Sequence, residues 1–507
     1  MTTLTDQALE FARAHISKYY DSDFFPKPRE YDAIWHSWDD VKKELSSKNV
    51  SKFWVTPPRA FPVPKPTGDF RVVHQLEPLD AIIYTALAFE IAGAIEMARV
   101  PADEKVACSY RFNRADGNFF SGGTGYGDFI GQTEALAEQH EFVLVTDITD
   151  YYNQIYLHRL NNAVEHADQA LKSVGDDLES FITKLNSKSS QGVPVGPAAS
   201  IVMAEAVLID VDEYIKNQGA AHTRYVDDFR IFGDSVEQLR RLQQDLTLYL
   251  YENHRLVLSG AKTEIRNAAA YVEQQLHNPY AEEKIELFQS LEVFNPYTED
   301  VEEIEVAVED ENELLVARLV YVVKRILEFQ KLDIGLARSA VRRARRHKVV
   351  EVLEPIIDHL ELFAPVINDV VLYFEEILRD DTAHTLCQKF IALIDSQVLD
   401  LDIVRYWVEW HLCGHQIYLS NAQIYRFVTR TPFFVNRARA AITGANLAWV
   451  RDQKAELHHL GSWERRALLD SARVLPGDER EHWLKLTEGS SPVLIDKWVA
   501  KWVRETA

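Results

Sequence analysis

The chain has 507 residues, a formal net charge of −23 and 47% hydrophobic residues, which is enough for roughly two to four domains with large cores. Its three cysteines, Cys108, Cys387 and Cys413, are too few and too scattered for a disulfide framework, which indicates a reducing compartment. The N-terminus lacks signal-peptide regions and no run of about 18 apolar residues occurs, so we expect a soluble, cytoplasmic protein without membrane contact.

The negative charge is unevenly distributed. Residues 1 to 297 carry 28 Lys and Arg against 44 Asp and Glu, residues 298 to 313 carry none against 9, and residues 314 to 507 carry 27 against 25. Long nucleic-acid duplexes are held largely by Lys and Arg that neutralise phosphates. This balance argues against an extended duplex-binding surface and predicts that any contact with a strand is local.

Apolar residues at helical spacing predict an amphipathic helix over residues 5 to 20 and a second helix, anchored by Trp35 and Trp38, that runs to about residue 45. Residues 61 to 74 predict two extended pieces joined by a turn at Gly68, with Lys65 before it and Arg71 after it. Basic residues beside such a turn suit triphosphate binding, although this pattern is also common on ordinary surfaces. Residues 79 to 98, rich in Ala, Ile and Leu, predict a buried helix.

Further along the chain, residues 142 to 147 predict a buried strand that ends at Asp147, and a helix is expected near Asp150. A loop over residues 190 to 200 precedes a close-packed helix that runs to about residue 216. Residues 222 to 232 then read as a hairpin whose turn holds Asp227 and Asp228. A helix over about 235 to 253 is followed by strand, turn, Lys262 and strand.

Two adjacent acids in a turn have two interpretations. Many such turns are solvated surface loops. A buried turn keeps both carboxylates only where a divalent cation offsets their repulsion, and oxygen ligands favour Mg²⁺ or Mn²⁺. Upstream, Asp147 supplies a third carboxylate from a separate strand, which favours the metal interpretation.

The order of these motifs resembles motifs A to D of reverse transcriptases: Asp147 at a strand end, Gln-Gly-Val-Pro-Val-Gly-Pro at 191 to 197, Tyr-Val-Asp-Asp at 225 to 228 and Lys-Thr at 262 to 263. The segment with Lys65 and Arg71, and Ser-Tyr-Arg-Phe at 109 to 112, are also similar to bacterial members. The resemblance covers roughly residues 55 to 290. It implies an α+β fold with the fingers and palm of a right-hand polymerase.

The resemblance also implies nucleotidyl transfer by two Mg²⁺ ions, with Mn²⁺ as an alternative, because two cations can stabilise the attacking and departing oxygens. Asp147 and Asp227 would bridge the ions with help from Asp228, and Lys262 would protonate the leaving group. The aromatic ring of Tyr152 would exclude a 2′-hydroxyl and so select dNTPs, unless Tyr152 simply packs in the core. The other implied contacts are the Ile148 carbonyl with a metal, Lys65 and Arg71 with the triphosphate, the backbone amides of Asp150 and Tyr151 with phosphates, and Gln191 and Gly192 with the nucleotide.

The rest of the chain differs in character. Residues 298 to 313 are an acidic linker or helix start, and the remainder predicts consecutive amphipathic helices in a HEAT-like array without a clear repeat length. We therefore predict three domains: an N-terminal helical segment (1 to 54), fingers and palm (55 to 290) and an all-α C-terminal domain (291 to 507). A basic cluster is either a solvated face or a strand-binding patch; it comprises Arg338, Arg342, Arg343, Arg345, Arg346, His347 and Lys348.

Three metal-ligating side chains, His411, Cys413 and His415, lie close in this helical sequence. Helical spacing is expected to scatter them over different faces, so we predict no metal site there.

Nothing after residue 290 resembles a ribonuclease H or a Cys-rich nuclease domain. A reverse-transcriptase core joined to a helical region resembles the abortive-infection reverse transcriptases of bacterial antiphage defence, most of all the prophage-encoded kind. That resemblance implies a cytoplasmic bacterial homo-oligomer that polymerises dNTPs without a template, primed by a protein hydroxyl, so that single-stranded DNA becomes covalently attached. Tyr19, Tyr20 and Tyr31 are the candidate primers, with Tyr31 preferred for an expected loop setting.

Two alternatives stay open. One is a conventional RNA-templated DNA polymerase of the retron or intron kind. The other is a protein-binding scaffold with a vestigial polymerase fold, against which the intact Asp147, Asp227, Asp228, Gln191 and Lys262 argue.

Overall fold

The computed structural model describes residues 2–20, 24–115, 117–120, 125–291, 311–329, 331–378 and 380–507. These residues form two compact units. The first comprises residues 2–20, 42–60 and 73–291, and the second comprises residues 24–41, 61–72 and 311–507. The predicted acidic linker at 298 to 310 lies outside the described residues.

Among the described residues, the range 2 to 291 contains thirteen α-helices. They are α1 (Asp6–Tyr19), α2 (Glu30–His36), α3 (Trp38–Ser46), α4 (Pro78–Ala98), α5 (Tyr126–Ala137), α6 (Tyr151–Gln154), α7 (Leu157–Ala167), α8 (Lys172–Leu185), α9 (Ala198–Val207), α10 (Ile209–Asn217), α11 (Val236–His254), α12 (Ala268–Tyr271) and α13 (Pro279–Leu291). The strands are β1 (Arg59–Pro64), β2 (Phe70–Gln75), β3 (Phe112–Ala115), β4 (Asn118–Phe120), β5 (Phe142–Asp147), β6 (Ala221–Tyr225), β7 (Asp228–Gly233) and β8 (Glu264–Asn267).

A four-stranded antiparallel sheet in the order β6-β7-β5-β8 is the platform of the first unit. Strand β5 occupies an inner position because Val143 and Leu144 are fully buried and both of its edges are paired. Its register places Asp147 directly opposite Asp228, so the two side chains leave the same face of the sheet. The strand predicted to end at Asp147 is therefore confirmed.

Both outer edges of this sheet are short or covered. The Arg224 amide of β6 donates to the Val106 carbonyl at 2.7 Å, and the Cys108 amide donates to the Arg224 carbonyl at 3.1 Å. At the other edge, β8 has only four residues and carries an ion pair between Arg266 and Glu264, with Nε and Oε1 2.8 Å apart.

Helix α4 is the apolar centre against which α1, α7 and α9 pack. Glu77 caps its N-terminus by accepting a hydrogen bond from the Leu79 amide, and Pro78 occupies the first turn, where no backbone donor is needed. By length and composition α4 is the one helix among the described residues that could cross a membrane, but 67% of its apolar window is buried inside the protein. This burial is typical of a core helix and confirms the predicted buried helix over 79 to 98.

Three predicted elements differ from the observed ones. The helix expected from Trp35 to residue 45 is broken at Ser37 into α2 and α3. The helix expected to reach residue 216 is broken at Leu208 into α9 and α10, because the chain turns there from the core toward β6. The strand expected before the turn that precedes Lys262 is reduced to one residue, because within residues 256 to 258 only Leu258 pairs, through an isolated bridge to Ile148.

The second unit is helical from residue 311 onward, as the sequence predicted. Its helices are α14 (Glu311–Glu328), α15 (Ile334–Arg346), α16 (Leu353–Asp358), α17 (Leu360–Phe363), α18 (Ile367–Ile377), α19 (Asp380–Ile394), α20 (Asp402–Gly414), α21 (Ala422–Thr429), α22 (Phe434–Thr443), α23 (Leu447–Lys454), α24 (Ser462–Ser471), α25 (Gly477–Ser490) and α26 (Leu494–Thr506). The array has no regular repeat length in these bounds, and its HEAT-like character and the three predicted domain boundaries stay predictions.

Part of the basic cluster on α15 is occupied within this unit. Arg342 donates to Asp369 at 2.6 Å, and Arg338 lies 3.3 Å from the same carboxylate. Lys348 pairs with Glu376 at 2.9 Å. These ion pairs favour a structural face over a strand-binding patch for the residues involved.

Candidate active site

Three carboxylates converge at one end of β5 and β7. Asp147 ends β5, Asp228 begins β7 opposite it, and Asp227 lies in the hairpin turn between β6 and β7. The Ile148 amide donates to the Asp227 carbonyl at 3.2 Å, which ties the end of β5 to that turn. The buried, β-branched strand thus delivers one acid to a hairpin that carries two.

Lys262 brings a cation to this group of acids. Its Nζ lies 2.7 Å from Asp147 Oδ2, and the loop that carries it is held to β5 because the Ser259 amide donates to the Asp147 carbonyl at 2.7 Å. Partial burial alone lowers the pKa of Lys262, but the hydrogen bond to Asp147 and the nearby acids raise it overall. Lys262 is therefore protonated and able to donate a proton or pair with phosphate.

Asp227 is a carboxyl group whose ionisation is opposed by its surroundings. Burial, followed by repulsion from Asp147, raises the pKa of Asp227 from 3.8 to about 7. Lys262 offsets only part of this effect. A carboxyl in this state gains most when a cation binds next to it.

The carboxylate of Asp228 is held by a bidentate pair with Arg230, with Nη1 to Oδ1 at 2.5 Å and Nη2 to Oδ2 at 3.1 Å. Arg230 is fixed in turn, because its Nε donates to the Tyr271 hydroxyl at 2.6 Å and its guanidinium lies over the rings of Phe129 and Tyr271. Arg230 therefore occupies one acceptor site on each oxygen of Asp228 and competes electrostatically with a metal for this carboxylate.

Behind the hairpin turn lies a buried polar network. The Val226 amide donates to Ser109 Oγ at 3.0 Å, and Ser109 Oγ donates to Glu205 Oε1 at 2.7 Å. Arg224 donates to the Val226 carbonyl at 3.0 Å and pairs with Glu205 at 2.9 Å. Both backbone polar groups of Val226 are thus held from within the core, and Val226 keeps a left-handed φ of 56° that a β-branched residue rarely adopts.

The charges of this network are balanced inside the protein. Arg224 forms a bidentate pair with the buried Asp212 at 2.8 Å, and Arg99 lies 2.9 Å from Glu205. Burial alone raises the pKa of Asp212, but Arg224 and His222 bring it down to about 2. The two arginines and two carboxylates thus compensate one another where solvent does not reach.

The nucleotide side of the predicted site lies on α6 and the loop before α9. Asp150, at a left-handed φ of 50°, directly precedes the four-residue α6, so a helix begins near Asp150 as predicted. The Tyr151 hydroxyl donates to the Ala204 carbonyl at 2.5 Å, so its side chain belongs to the core. Tyr152 is half-buried, with its ring centroid 5.8 Å from that of Tyr151 in an edge-to-face arrangement.

The loop with Gln191 and Gly192 docks directly on α6. The Val193 amide donates to the Tyr152 carbonyl at 2.9 Å, and the Gly192 amide donates to the Ile155 carbonyl at 2.8 Å. Gly192 has a φ of 91°, and a Cβ there would lie 3.1 Å from the Asn153 carbonyl oxygen. Exposed Gln191 donates to the Gln154 side chain at 2.6 Å. The predicted neighbours Tyr152, Gln191 and Gly192 are therefore adjacent.

Lys65 and Arg71 belong to the tip of the β1–β2 hairpin, which the structure assigns to the second unit. Within that unit Phe61 packs against Phe25 and Tyr406, with ring centroids 5.5 and 5.6 Å apart. Lys65 pairs with Asp69 at 2.7 Å across the Gly68 turn, and Arg71 is exposed. Their role in triphosphate binding stays a prediction.

The expected loop setting of Tyr31 is wrong. Tyr31 lies in α2, is 1% exposed and stacks on Trp35 with ring centroids 5.6 Å apart, because α2 packs its apolar face inside the second unit. Tyr19 and Tyr20 at the end of α1 are half-buried, and the Tyr20 hydroxyl accepts a hydrogen bond from Gln75 at 2.9 Å.

The donor set fits a hard divalent cation. Asp147, Asp227 and Asp228 offer carboxylate oxygens on one side of the sheet, and the raised pKa of Asp227 marks a charge excess that a cation relieves. The Ile148 amide faces Asp227, and its carbonyl stays a predicted ligand. Sequence reasoning missed Arg230 and Arg224, although charged residues inside apolar strands next to the two acids were a signal for both.

The family model described as reverse transcriptase (RNA-dependent DNA polymerase) matches residues 63–288. No curated protein sequence matches the chain significantly. Among solved structures, telomerase from Candida albicans with a fragment of telomeric RNA shares 12% identity, with 75% of this chain and 71% of that chain covered and a TM-score of 0.32. Telomerase from Candida tropicalis without RNA shares 10% identity, with 74% of each chain covered and a TM-score of 0.34.

The telomerase similarities are too distant to add to the assignment, which rests on the family match. Reverse-transcriptase domains use divalent metal ions, and the converging acids suit such ions. Asp147, Asp227, Asp228 and Lys262 all fall inside the matched segment. Residues 63–288 thus match the reverse-transcriptase family, and this match supports a polymerase-type nucleotidyltransferase in this part of the chain.

Proposed function

We propose that the chain is a DNA polymerase that transfers nucleotidyl groups from dNTPs to a hydroxyl by a two-metal mechanism. The observation that carries this proposal is the convergence of Asp147, Asp227 and Asp228, with Lys262 hydrogen-bonded to Asp147 at 2.7 Å. Bound Mg²⁺ ions, or Mn²⁺ in their place, supply the electrostatic stabilisation of the attacking and departing oxygens.

The reaction assigns separate tasks to the side chains. The attacking hydroxyl oxygen forms a bond to the α-phosphorus, its proton passes to solvent, and the bond between the α-phosphorus and the bridging oxygen breaks to release pyrophosphate. Lys262 gives its proton to the departing pyrophosphate. Gln191, Gly192 and Tyr152 hold the sugar and base, and the backbone amides of Asp150 and Tyr151 face phosphate oxygens. On the sequence resemblance alone, Lys65 and Arg71 are the candidates that would neutralise the triphosphate.

We further propose that the first hydroxyl belongs to the protein, that no template instructs synthesis, and that the activity serves antiphage defence by abortive infection. The net charge of −23 supports this, because an enzyme that holds no long duplex tolerates an acidic surface. A phenol is a suitable primer since it ionises more readily than an aliphatic alcohol. Tyr19 and Tyr20 are accessible candidates, and Tyr31 needs a movement of α2 to expose its hydroxyl. The single-stranded product would stay attached to a homo-oligomer in the bacterial cytoplasm.

A second candidate function is RNA-templated DNA synthesis. The description of the matching family as RNA-dependent favours it directly. The two functions use the same carboxylates and differ in the source of the hydroxyl and in the need for a template.

One experiment separates these functions. Purified protein is incubated with labelled dNTPs and Mg²⁺, with and without an RNA template and a DNA primer, and is then denatured and separated by size. Label that comigrates with the protein without added nucleic acid, and disappears in Asp227→Ala, is the expected result. Incorporation only with template and primer supports the second function, and no incorporation in any arm contradicts both.

The attachment site is found by digesting the labelled protein with protease and nuclease and sequencing the modified peptide by mass spectrometry. We expect the label on a tyrosine within residues 1 to 40. Attachment elsewhere in the chain would overturn the choice of Tyr19, Tyr20 and Tyr31 without affecting the polymerase assignment.

A further inference from the structure

The second unit contains a compact trio of metal-ligating side chains that the polymerase reaction does not use. His411 and His415 lie four residues apart at the C-terminal end of α20, and Glu375 lies on α18, which packs against α20. The expectation that the histidines are scattered is wrong: His415 directly follows α20 in an extended conformation, and its ring centroid lies 4.9 Å from that of His411 in the last turn of the helix. Cys413, the third member of the predicted trio, is buried away from them and is replaced by Glu375.

The three donor groups lie close enough together to surround one ion after a local adjustment. Glu375 Oε1 lies 2.5 Å from His411 Nδ1 and 3.0 Å from His415 Nε2, and the trio offers three ligand atoms within 4.8 Å of one another. Ligands about 2.0 Å from zinc at the corners of a tetrahedron are about 3.3 Å apart. The carboxylate of Glu375 therefore has to move away from both rings to admit an ion.

The trio is also accessible from one side. His411 is fully buried, whereas the side chains of His415 and Glu375 are 29% and 23% exposed. An ion can enter past His415, and a water molecule can complete its coordination from the same side. His411 Nε2 has no hydrogen-bond partner, so the proton that must leave Nδ1 can move to Nε2 without displacing an existing contact.

We propose that Glu375, His411 and His415 bind one zinc-like divalent cation that joins α18 to α20. Two imidazoles and one carboxylate favour Zn²⁺ or Co²⁺ over Mg²⁺, which prefers an all-oxygen shell. The site is thus chemically distinct from the three carboxylates of the polymerase domain, and its ion contributes to the stability of the helical unit.

Arg439 is the charged neighbour that opposes the cation. Its guanidinium lies over the Trp410 ring at 4.2 Å and its Nε donates to the Trp410 carbonyl at 3.0 Å. It is close enough to interact electrostatically with Glu375 and His411. Removing this charge by Arg439→Gln is therefore expected to tighten metal binding about threefold to tenfold.

Metal content tests the proposal on the full untagged chain. Protein stripped with chelator is dialysed against Zn²⁺, washed and measured by elemental analysis, in a background of Asp147→Asn and Asp227→Asn that removes ligands of the polymerase site. We expect about one zinc per chain, lost in His415→Ala and in Glu375→Gln and retained in the matched control His482→Ala, which alters an exposed histidine elsewhere in the unit. Equal zinc content in all of these proteins overturns the proposal.

Two further measurements do not depend on how the variants fold. Co²⁺ added to the unsubstituted protein is expected to give the strong visible absorption of tetrahedral coordination, whereas weak octahedral bands speak against the site. Zn²⁺ is expected to slow carbethoxylation of His415 by diethyl pyrocarbonate, read by mass spectrometry, and to raise the melting temperature. An unchanged modification rate at His415 means that the trio is only a hydrogen-bond network.

Discussion

Lys262 Nζ lies 2.7 Å from Asp147 Oδ2, although 65% of the Lys262 side chain is exposed. An exposed ammonium usually gains little from one carboxylate. Here two further acids lie close by and raise its pKa further. In the substrate-free protein, Lys262 therefore lies beside the three carboxylates, where a positive charge offsets their mutual repulsion.

Two substitutions of Lys262 distinguish the effect of its positive charge from its role as a proton donor. We expect Lys262→Met to slow dNTP incorporation about 100-fold, because the leaving pyrophosphate loses its proton donor. Lys262→Arg keeps the charge but gives up a proton far less readily, so we expect a loss of similar size with near-normal dNTP binding. Single-turnover kinetics measure both effects, with exposed Lys188→Met as the control. A rate within threefold of normal in Lys262→Met would contradict the assignment of the acid.

The raised pKa of Asp227 predicts that a rise in pH lowers the stability of the metal-free protein and strengthens metal binding. Its folded pKa of about 7 lies above its ordinary value of 3.8, so the bound proton stabilises the metal-free fold fully below pH 3.8, and this contribution is lost as the pH rises through 7. Asp227→Asn removes the charge and is expected to raise the stability of the metal-free protein at pH 8 by at most about 4 kcal/mol.

The same substitution abolishes incorporation, because a carboxylate is required at this position. Urea unfolding at pH 5 and pH 8 in chelator checks the stability effect, and Asp103→Asn at an exposed position is the matched control. Apparent Mg²⁺ affinity of the unsubstituted protein is expected to increase as the pH rises from 6 to 8, since Mg²⁺ displaces the proton. Equal stability gains at both pH values would speak against a raised pKa.

Arg230 competes with metal for the carboxylate of Asp228. We expect Arg230→Gln to lower the Mg²⁺ concentration for half-maximal incorporation roughly fivefold, because the bidentate partner of Asp228 is gone. Tyr271→Phe removes only the hydrogen bond between Arg230 and Tyr271 and is expected to change the Mg²⁺ requirement much less. An unchanged requirement in Arg230→Gln would mean that Arg230 does not compete with the metal for Asp228.

Ser109 acts as a positioning residue for the acidic turn. Ser109→Ala leaves the Val226 amide and Glu205 without this partner, at a cost of about 2 kcal/mol in the free energy of unfolding. We expect kcat to fall about 10- to 100-fold with little change in the KM for dNTP, because a shifted turn misplaces Asp227.

Thr133→Val is the control for Ser109→Ala. It removes a buried hydroxyl that donates to the Phe129 carbonyl at 2.7 Å, away from the turn. We expect a comparable stability loss with normal kcat. A normal kcat in Ser109→Ala as well would mean that the hydrogen bonds of Ser109 stabilise the fold without positioning Asp227.

The ring of Tyr152 is predicted to select dNTPs over NTPs. Tyr152→Ala is expected to admit ribonucleotides and to lower the preference for dNTPs over NTPs by 10-fold or more, because the ring that excludes the 2′-hydroxyl is gone; the difference corresponds to about 1.4 kcal/mol. Competition between dGTP and GTP measures the ratio, and Tyr156→Ala, which alters a neighbouring exposed tyrosine, is the control. Unchanged discrimination in Tyr152→Ala would assign Tyr152 to the core alone.

The sequence predicted the elements whose local pattern was strong. A run of buried residues ending in Asp147 and an acidic pair between alternating residues sufficed to predict β5 and the hairpin, because both signals lie within a few residues. Lys262 was predicted from the resemblance to the reverse-transcriptase motifs, and the structure brings it to Asp147.

What the sequence did not predict depends on long-range packing. Ser109 and Val226 are 117 positions apart, so only the folded chain brings the hydroxyl to the amide. Tyr31 was placed in a loop because prolines precede it, yet packing of α2 buries it. For His411 and His415 the error came from extending the helix too far: α20 ends at Gly414, and neither that end nor Glu375 on α18 was visible in the sequence.

The covered edges of the sheet bear on how copies of the chain can associate. With β6 hydrogen-bonded to the segment 106 to 108 and β8 short and charged, the sheet offers little open backbone for a strand from another molecule. Growth by continuous β-pairing, the usual route to uncontrolled aggregation, is disfavoured at both ends. Subunits of the proposed homo-oligomer would therefore not associate through the edges of this sheet, and they could separate without breaking the sheet that carries the acids.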